Sequence, residues 1–301
     1  MTSPLPQYLR ELEAQSIYII REAYARAHAP VVLYSIGKDS SVLMRLVEKA
    51  FSPAAVPMPL LHIDTSFKFK EMIVFRDAIA KERGWKLIVR KNEEDEARAL
   101  RADDAATDRY IYLKKTKPLI EAIRTHGFDV IVGGARREEE KSRAKERIFS
   151  IRNEFGVWDP RRQRVEFGNL YNTELAKGET LRVFPLADWT EIDVWRYIAY
   201  ENIPVVDLYF ARERSVVERS GTLIEINELV TPHLEERVQK MKSRYRTLGC
   251  APSTGAFPSQ AVTIHEIILE LTETTYSERG SRLIDHGSHA AMEQKKREGY
   301  F

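Results

Sequence analysis

The chain has 301 residues, 43% of them hydrophobic and 31% charged, and carries a formal net charge of +2. This is the composition of a globular protein; a charge so near balance argues against bulk nucleic-acid binding, and no apolar run reaches membrane-spanning length. A single cysteine, Cys250, excludes an internal disulfide and an all-cysteine cluster, and with no signal-peptide core at the N-terminus the expectation is a cytoplasmic protein with no membrane partner.

Residues 8–28 predict an amphipathic helix, with Leu9, Leu12, Ile19, Ile20 and Ala23 at apolar spacing. Strand and helix then alternate. Apolar runs at 31–35, 59–64, 86–90, 129–133 and 181–186 predict strands; 40–51, 68–83, 117–126 and 190–201 predict helices, with Gly84 and Gly127 as stops and Thr190–Asp193 as a capping box. The rhythm implies an α/β fold: a doubly wound, mainly parallel five-stranded sheet with helices on both faces. Residues 92–109 are charged and weakly periodic and are expected to form a surface insertion. Beyond about 205 the alternation fades; helices are expected at 233–246 and 261–273 around the loop "LGCAPSTGAFPS", and the end "EQKKREGYF" is basic and aromatic. The expected division is an N-terminal helix (1–28), a nucleotide-binding unit (29–204) and a helical and irregular extension (205–301).

Ligands of such sheets bind beyond the carboxyl ends of the strands, where polar groups collect. "SIGKDS" after the first strand feeds a helix, so Ser35, Gly37, Asp39 and Ser40 would frame an anion site and Lys38 would add a mobile charge. Taken alone, the same turn would be an ordinary strand-to-helix loop with Asp39 or Ser40 as N-cap. Asp64 and Thr65 follow the second strand and suit a ribose, an adenine amino group or a helix cap. Gly133 and Gly134 follow the fourth and permit close backbone approach. Arg136 and Arg137 open a run of cations reaching Arg147; on a continuous helix Arg136, Arg143 and Arg147 would share one stripe, and a solvated, salt-bridged face is the plainer alternative. His62 and Trp195 read as core residues and Cys250 as a small buried side chain. No cluster has metal-ligand spacing, so no protein-held metal is expected.

These residues together resemble a known group. "SIGKDS" is similar to the pyrophosphatase-type loop Ser-Gly-Gly-x-Asp-Ser, with Ile36 in place of the first glycine. "DTSFKFKE", "KTKPL" and "LGCAPST" resemble the sulfonucleotide reductase and ATP sulfurylase superfamily. "GGARREEEKSRAKERIFSIR", "VFPLADWTEIDVW", "RYRTLGC" and "KKREGYF" resemble the small subunits of heterodimeric bacterial sulfate adenylyltransferase over essentially the whole chain. Ser66-Phe67 replaces the usual Gly-Trp, and 92–110 diverges. The resemblance implies the adenine nucleotide alpha-hydrolase-like fold and the reaction ATP + sulfate → adenylyl sulfate + pyrophosphate. It also implies Mg²⁺ on the ATP phosphates and a GTPase large subunit as partner, with GTP bound there. Lys38, Arg136 and Arg137 would serve catalysis; Ser35, Gly37, Asp39, Ser40, Asp64, Thr65, Gly133 and Gly134 would hold the nucleotide. Iron–sulfur reductases of the superfamily carry a cysteine pair where Tyr110 and Ile111 stand, and that chemistry is closed to a chain with one cysteine. A tRNA-modifying adenylase would normally show catalytic cysteines or a basic RNA surface, and a nucleotide-sensing subunit without catalysis is the non-enzymatic alternative.

Overall fold

In the computed structural model, residues 4–273 apart from 169 and 172 are described. The first helix, α1 (Gln7–Arg26), buries Leu9, Ile19, Ile20 and Ala23. From there come β1 (Pro30–Leu33), α2 (Lys38–Phe51), β2 (Leu60–Asp64), α3 (Lys70–Glu82) and β3 (Leu87–Lys91). The stretch expected as a surface insertion forms short helical pieces, α4 (Asp95–Arg98) and α5 (Asp108–Ile111), and buries Ala97, Ala105 and Tyr110. A π-helical turn, Tyr112–Thr116, leads into α6 (Lys117–His126), which Gly127 ends at φ 65°. Then follow β4 (Val130–Val132), β5 (Phe149–Arg152), β6 (Thr180–Val183) and α7 (Glu191–Glu201). The capping box at α7 forms as predicted: Asp193 N donates to Thr190 Oγ1 at 3.2 Å and Thr190 N to Asp193 Oδ2 at 3.0 Å.

The strand order is β3-β2-β1-β4-β6-β5. The five predicted strands are the parallel ones. β5 runs antiparallel to β6 at the edge, pairing Phe149 with Val183, and it is the strand the sequence reading lacks. Its outer edge is met by side chains: Glu166 accepts from Ile148 N and Phe149 N at 2.9 and 2.7 Å, and Gln163 from Ile151 N at 3.0 Å. Such covering blunts an open edge. β1 and β4 lie side by side at the centre, so the loops leaving them open onto one rim.

The region past 205 corrects two expectations. Among the described residues it is not only helical and irregular but holds a second, antiparallel sheet of β7 (Arg212–Arg219), β8 (Thr222–Glu225), β9 (Gln239–Arg244) and β10 (Phe257–Pro258), in the order β10-β9-β7-β8. The predicted helix 233–246 is replaced by β9. Its Lys and Gln residues favour helix, but propensity is a weak prior. Pairing with β7 and the burial of Ser243 and Arg244 outweigh it; Arg244 reaches Glu270 at 2.6 Å. Glu270 lies on α8 (Ile264–Glu273), the second predicted helix. Val216 and Tyr245 of this region share one buried cluster with Val42 and Leu46 of α2. The tail "EQKKREGYF" lies outside the described residues.

Candidate active site

The loop between β1 and α2 is held from several sides. Ile36 has φ 71° and is buried. A β-branched residue in the left-handed region is strained by about 1–2 kcal/mol, and this is the position where the resembled loop has glycine. Gly37, in contrast, has an ordinary φ of −76° as N-cap of α2. A Cβ there would meet nothing closer than 3.5 Å. The fold therefore does not require glycine at 37, and its bareness leaves the backbone open to a ligand. Ser40 Oγ donates to Gly37 O at 2.8 Å, and Lys38 N donates to the Tyr209 hydroxyl at 2.7 Å.

Gly134, just past β4, has the opposite reason. A Cβ on it would stand 3.2 Å from Asp39 C and O, so the two strand-end loops meet backbone to backbone. That approach delivers Arg136 to Asp39: Nε donates to Oδ1 at 2.6 Å, and NH1 lies 3.0 Å from Glu138 Oε2. Lys38 Nζ reaches the other Asp39 oxygen at 3.1 Å. Burial alone would raise the Asp39 pKa, but the charges of Lys38 and Arg136 outweigh it and hold the carboxyl well below the usual carboxylate range. Lys38 is 1% exposed. The mobile, solvent-facing lysine expected from the sequence is instead a buried strut.

Beside this tie opens a cleft of about 260 Å³. Ser35, Gly37, Asp39, Ser40, Thr65 and Gly134, all expected from the sequence to hold a nucleotide, are among its lining residues. Leu33, Leu61, Ile63 and Leu119 give it an apolar end, and Lys68, Lys115 and Arg143 supply cations. Arg143 is buried; its Nε makes no hydrogen bond but is ion-paired with the Glu139 carboxylate at 3.6 Å. Asp64 does not line the cleft but shapes the turn beyond β2, accepting from Ser66 N at 2.7 Å. Gly133 N continues the sheet by donating to Val183 O at 2.8 Å. Arg137 turns away: it pairs with Asp188 and its guanidinium lies 3.4 Å from Glu146 O. The shared arginine stripe also fails, because 136–147 is a loop with one 3-10 turn at Lys141–Lys145 rather than a continuous helix.

Sequence reasoning did not single out Lys68, Lys115 or Tyr209 as site residues, and it named Arg143 only as a member of the cation run behind Arg136 and Arg137. Lys68 and Lys115 stood within stretches already quoted: Lys68 follows the Asp64-Thr65 strand end by three residues, and Lys115 opens "KTKPL". Tyr209 had none; it meets the loop across 171 positions of sequence. His62 is buried as expected, with Nδ1 2.8 Å from Tyr34 O. Burial, and then the Lys68 charge, push its pKa down to about 4. The unfolded chain takes up that proton near pH ~6.5 and the folded chain does not. Its stabilising contribution is therefore full above that pH and is lost as pH falls to about 4, by up to about 1.4 kcal/mol per pH unit. Urea unfolding near pH ~7 and ~5 checks this: His62→Gln is expected to lose less stability between them than the parent chain.

Residues 29–256 match the family model of the phosphoadenosine phosphosulfate reductase domain. Sulfate adenylyltransferase subunit 2 of Phocaeicola vulgatus is 54% identical over 295 residues, covering 98% of this chain and 97% of that protein. The protein of the same name from Myxococcus xanthus is 51% identical over 295 residues, with the same coverage of both chains. Among solved structures, phosphoadenylyl-sulfate reductase of Candida auris in a phosphate complex aligns with a TM-score of 0.47 at 17% identity, over 69% of this chain and 93% of that one. Near-complete matches at more than half identity show that this chain belongs to the sulfate adenylyltransferase subunit 2 family, within the wider phosphoadenosine phosphosulfate reductase domain family.

Proposed function

We propose that the chain transfers the adenylyl group of ATP to sulfate, releasing pyrophosphate. The observation that carries this is the cleft itself: apolar side chains Leu33, Leu61, Ile63 and Leu119 share its lining with Lys68, Lys115 and Arg143, three cations from three separate segments. A sulfate oxygen attacks the α-phosphorus, the bond from that phosphorus to the bridging oxygen breaks, and pyrophosphate leaves with the electron pair. Sulfate is already ionised, so no general base is needed. The obstacle is charge. At an effective dielectric near 20, one pair of like charges ~4 Å apart costs about 4 kcal/mol, so several cations must face the reactants at fixed positions. Arg143 supports this reading: it lines the cleft, and its buried Nε, ion-paired with Glu139 at 3.6 Å but making no hydrogen bond, would donate to such an anion.

Lys38 and Arg136 act one step back, by fixing Asp39 and through it the loop. Arg137, turned to Asp188, has no direct part. Mg²⁺ fits as a companion of the nucleotide, held by phosphate and water. Among the described residues no three His, Cys, Asp or Glu side chains group as a metal site. The relatives are named as subunit 2, and we assign this chain a partner subunit accordingly. The product is a high-energy mixed anhydride, so formation is uphill, and a GTP-hydrolysing partner would supply the drive. The partner-contact region we assign is 205–301. Among the described residues no helix is long and apolar enough to cross a membrane. Sulfonucleotide reduction would need a second thiol, and the chain has only Cys250.

The test is release of labelled pyrophosphate by the chain with its partner subunit. Release that requires sulfate, and rises with GTP, is expected. Binding of an ATP analogue with no sulfate-dependent release would instead mark a nucleotide-sensing subunit.

A further inference from the structure

Cys250 sits where three distant segments meet. Its Sγ lies 3.1 Å from Thr65 Oγ1 and 3.1 Å from the Tyr110 hydroxyl, and that hydroxyl donates to Thr65 O at 2.9 Å. Counting protons closes a ring. The Tyr110 O–H is spent on the Thr65 carbonyl, so Cys250 Sγ–H donates to Tyr110 and Thr65 Oγ1–H donates to Cys250. Every donor is used once, as buried polar groups require.

The ring is tied to the cleft on both sides. Cys250 faces Lys68 in an antiparallel bridge, and Ala251 N donates to Phe67 O at 2.8 Å. Phe67 stacks on Tyr110 with centroids 5.7 Å apart. On the other side, Lys115 Nζ stands 5.9 Å from the centre of the Tyr110 ring, within cation–π range. Lys115 lies in the π-helical turn Tyr112–Thr116, which follows directly on α5, the helix that bears Tyr110. Thr65, Lys68 and Lys115 all line the cleft.

We propose that the Thr65–Cys250–Tyr110 ring is a positioning device that sets the Lys68 and Lys115 ammonium groups on the cleft wall for an oxyanion. A lysine is a point charge on a flexible stem, and it compensates charge at a fixed place only if its backbone is fixed. The ring locks the segment bearing Lys68 to the helix bearing Lys115. The proposal rests on the adenylyl-transfer reading only for which anion is held.

Tyr110→Phe removes one O–H and keeps the ring stacking. Cys250→Ala opens the ring, and Cys250→Ser keeps both a donor and an acceptor. In the full chain with its partner subunit, three quantities are read: binding of inorganic pyrophosphate by calorimetry, KM for sulfate and for ATP, and the unfolding midpoint. Tyr110→Phe and Cys250→Ala are expected to weaken pyrophosphate binding and raise KM for sulfate about five- to twenty-fold, with KM for ATP changed about two-fold or less. Cys250→Ser is expected to recover most of the loss. The proposal is overturned if both variants bind pyrophosphate like the parent chain, if Cys250→Ser is as impaired as Cys250→Ala, or if sulfate, ATP and pyrophosphate losses all follow the unfolding midpoint. Absence of sulfate-dependent turnover in the parent chain would refute the adenylyl-transfer reading, while the pyrophosphate titration would still decide the ring.

Discussion

Lys115→Ala is expected to lower sulfate-dependent pyrophosphate release by about 10²–10³, the usual cost of removing one preorganised donor from developing charge. The side chain lines the cleft and contacts the Tyr110 ring. Its removal strips a cation from the place where two anions must meet, and it deletes only a cation–π contact worth about 0.5–1 kcal/mol at a partly exposed site. Folding should therefore be nearly unaffected. Nucleotide affinity should fall less than turnover, because on the proposed reading the β1–α2 loop holds the rest of ATP. Calorimetry with a non-hydrolysable ATP analogue, run beside steady-state kinetics, separates the two. Equal losses in binding and turnover would assign Lys115 to the triphosphate and undo its role toward sulfate.

Arg136→Ala should produce the largest loss of stability, about 3–5 kcal/mol, because it leaves buried charge without its partner. The guanidinium side chain is fully buried and spans Asp39 and Glu138. Once it is gone, Asp39 keeps its pair with Lys38 but loses the guanidinium. The loop that Asp39 anchors would loosen, and ATP-analogue binding should be lost along with turnover. Arg136→Lys should rescue little, since one ammonium cannot reproduce a planar fork reaching two carboxylates. Arg137→Ala is the control: its pair with Asp188 is about one third to two fifths exposed, so it should cost about 1 kcal/mol or less and leave turnover within a few-fold. Urea denaturation of the three variants measures this. If Arg136→Ala and Arg137→Ala were equally stable, the tie through Asp39 would not be what holds the loop.

The division of labour between sequence and tertiary structure follows the range of the forces involved. Apolar periodicity and local stop signals act within one or two turns of chain. They were enough to place the five parallel strands, the helices between them, the Thr190–Asp193 cap and the strand-to-helix turn at Ser35–Ser40. The same local logic went wrong at 233–246, where Lys and Gln favour helix but pairing with β7, more than twenty residues away, draws the segment into β9. It also could not find β5, a short edge strand whose identity depends on β6 beside it. At the site, residue types alone marked Lys38, Arg136 and Arg137 as the reacting cations. Only packing could show that Gly134 meets the Asp39 backbone, that Arg136 and Lys38 are consumed in holding Asp39, and that Arg137 faces Asp188. The cations on the cleft wall, Lys68, Lys115 and Arg143, come from separate segments. Their convergence is a property of strand order, as is the arrival of Tyr209 at Lys38 N. Ile36 is the sharpest case: its sequence reads as an apolar residue at a glycine position, and only the folded backbone, at φ 71°, shows the strain it carries there.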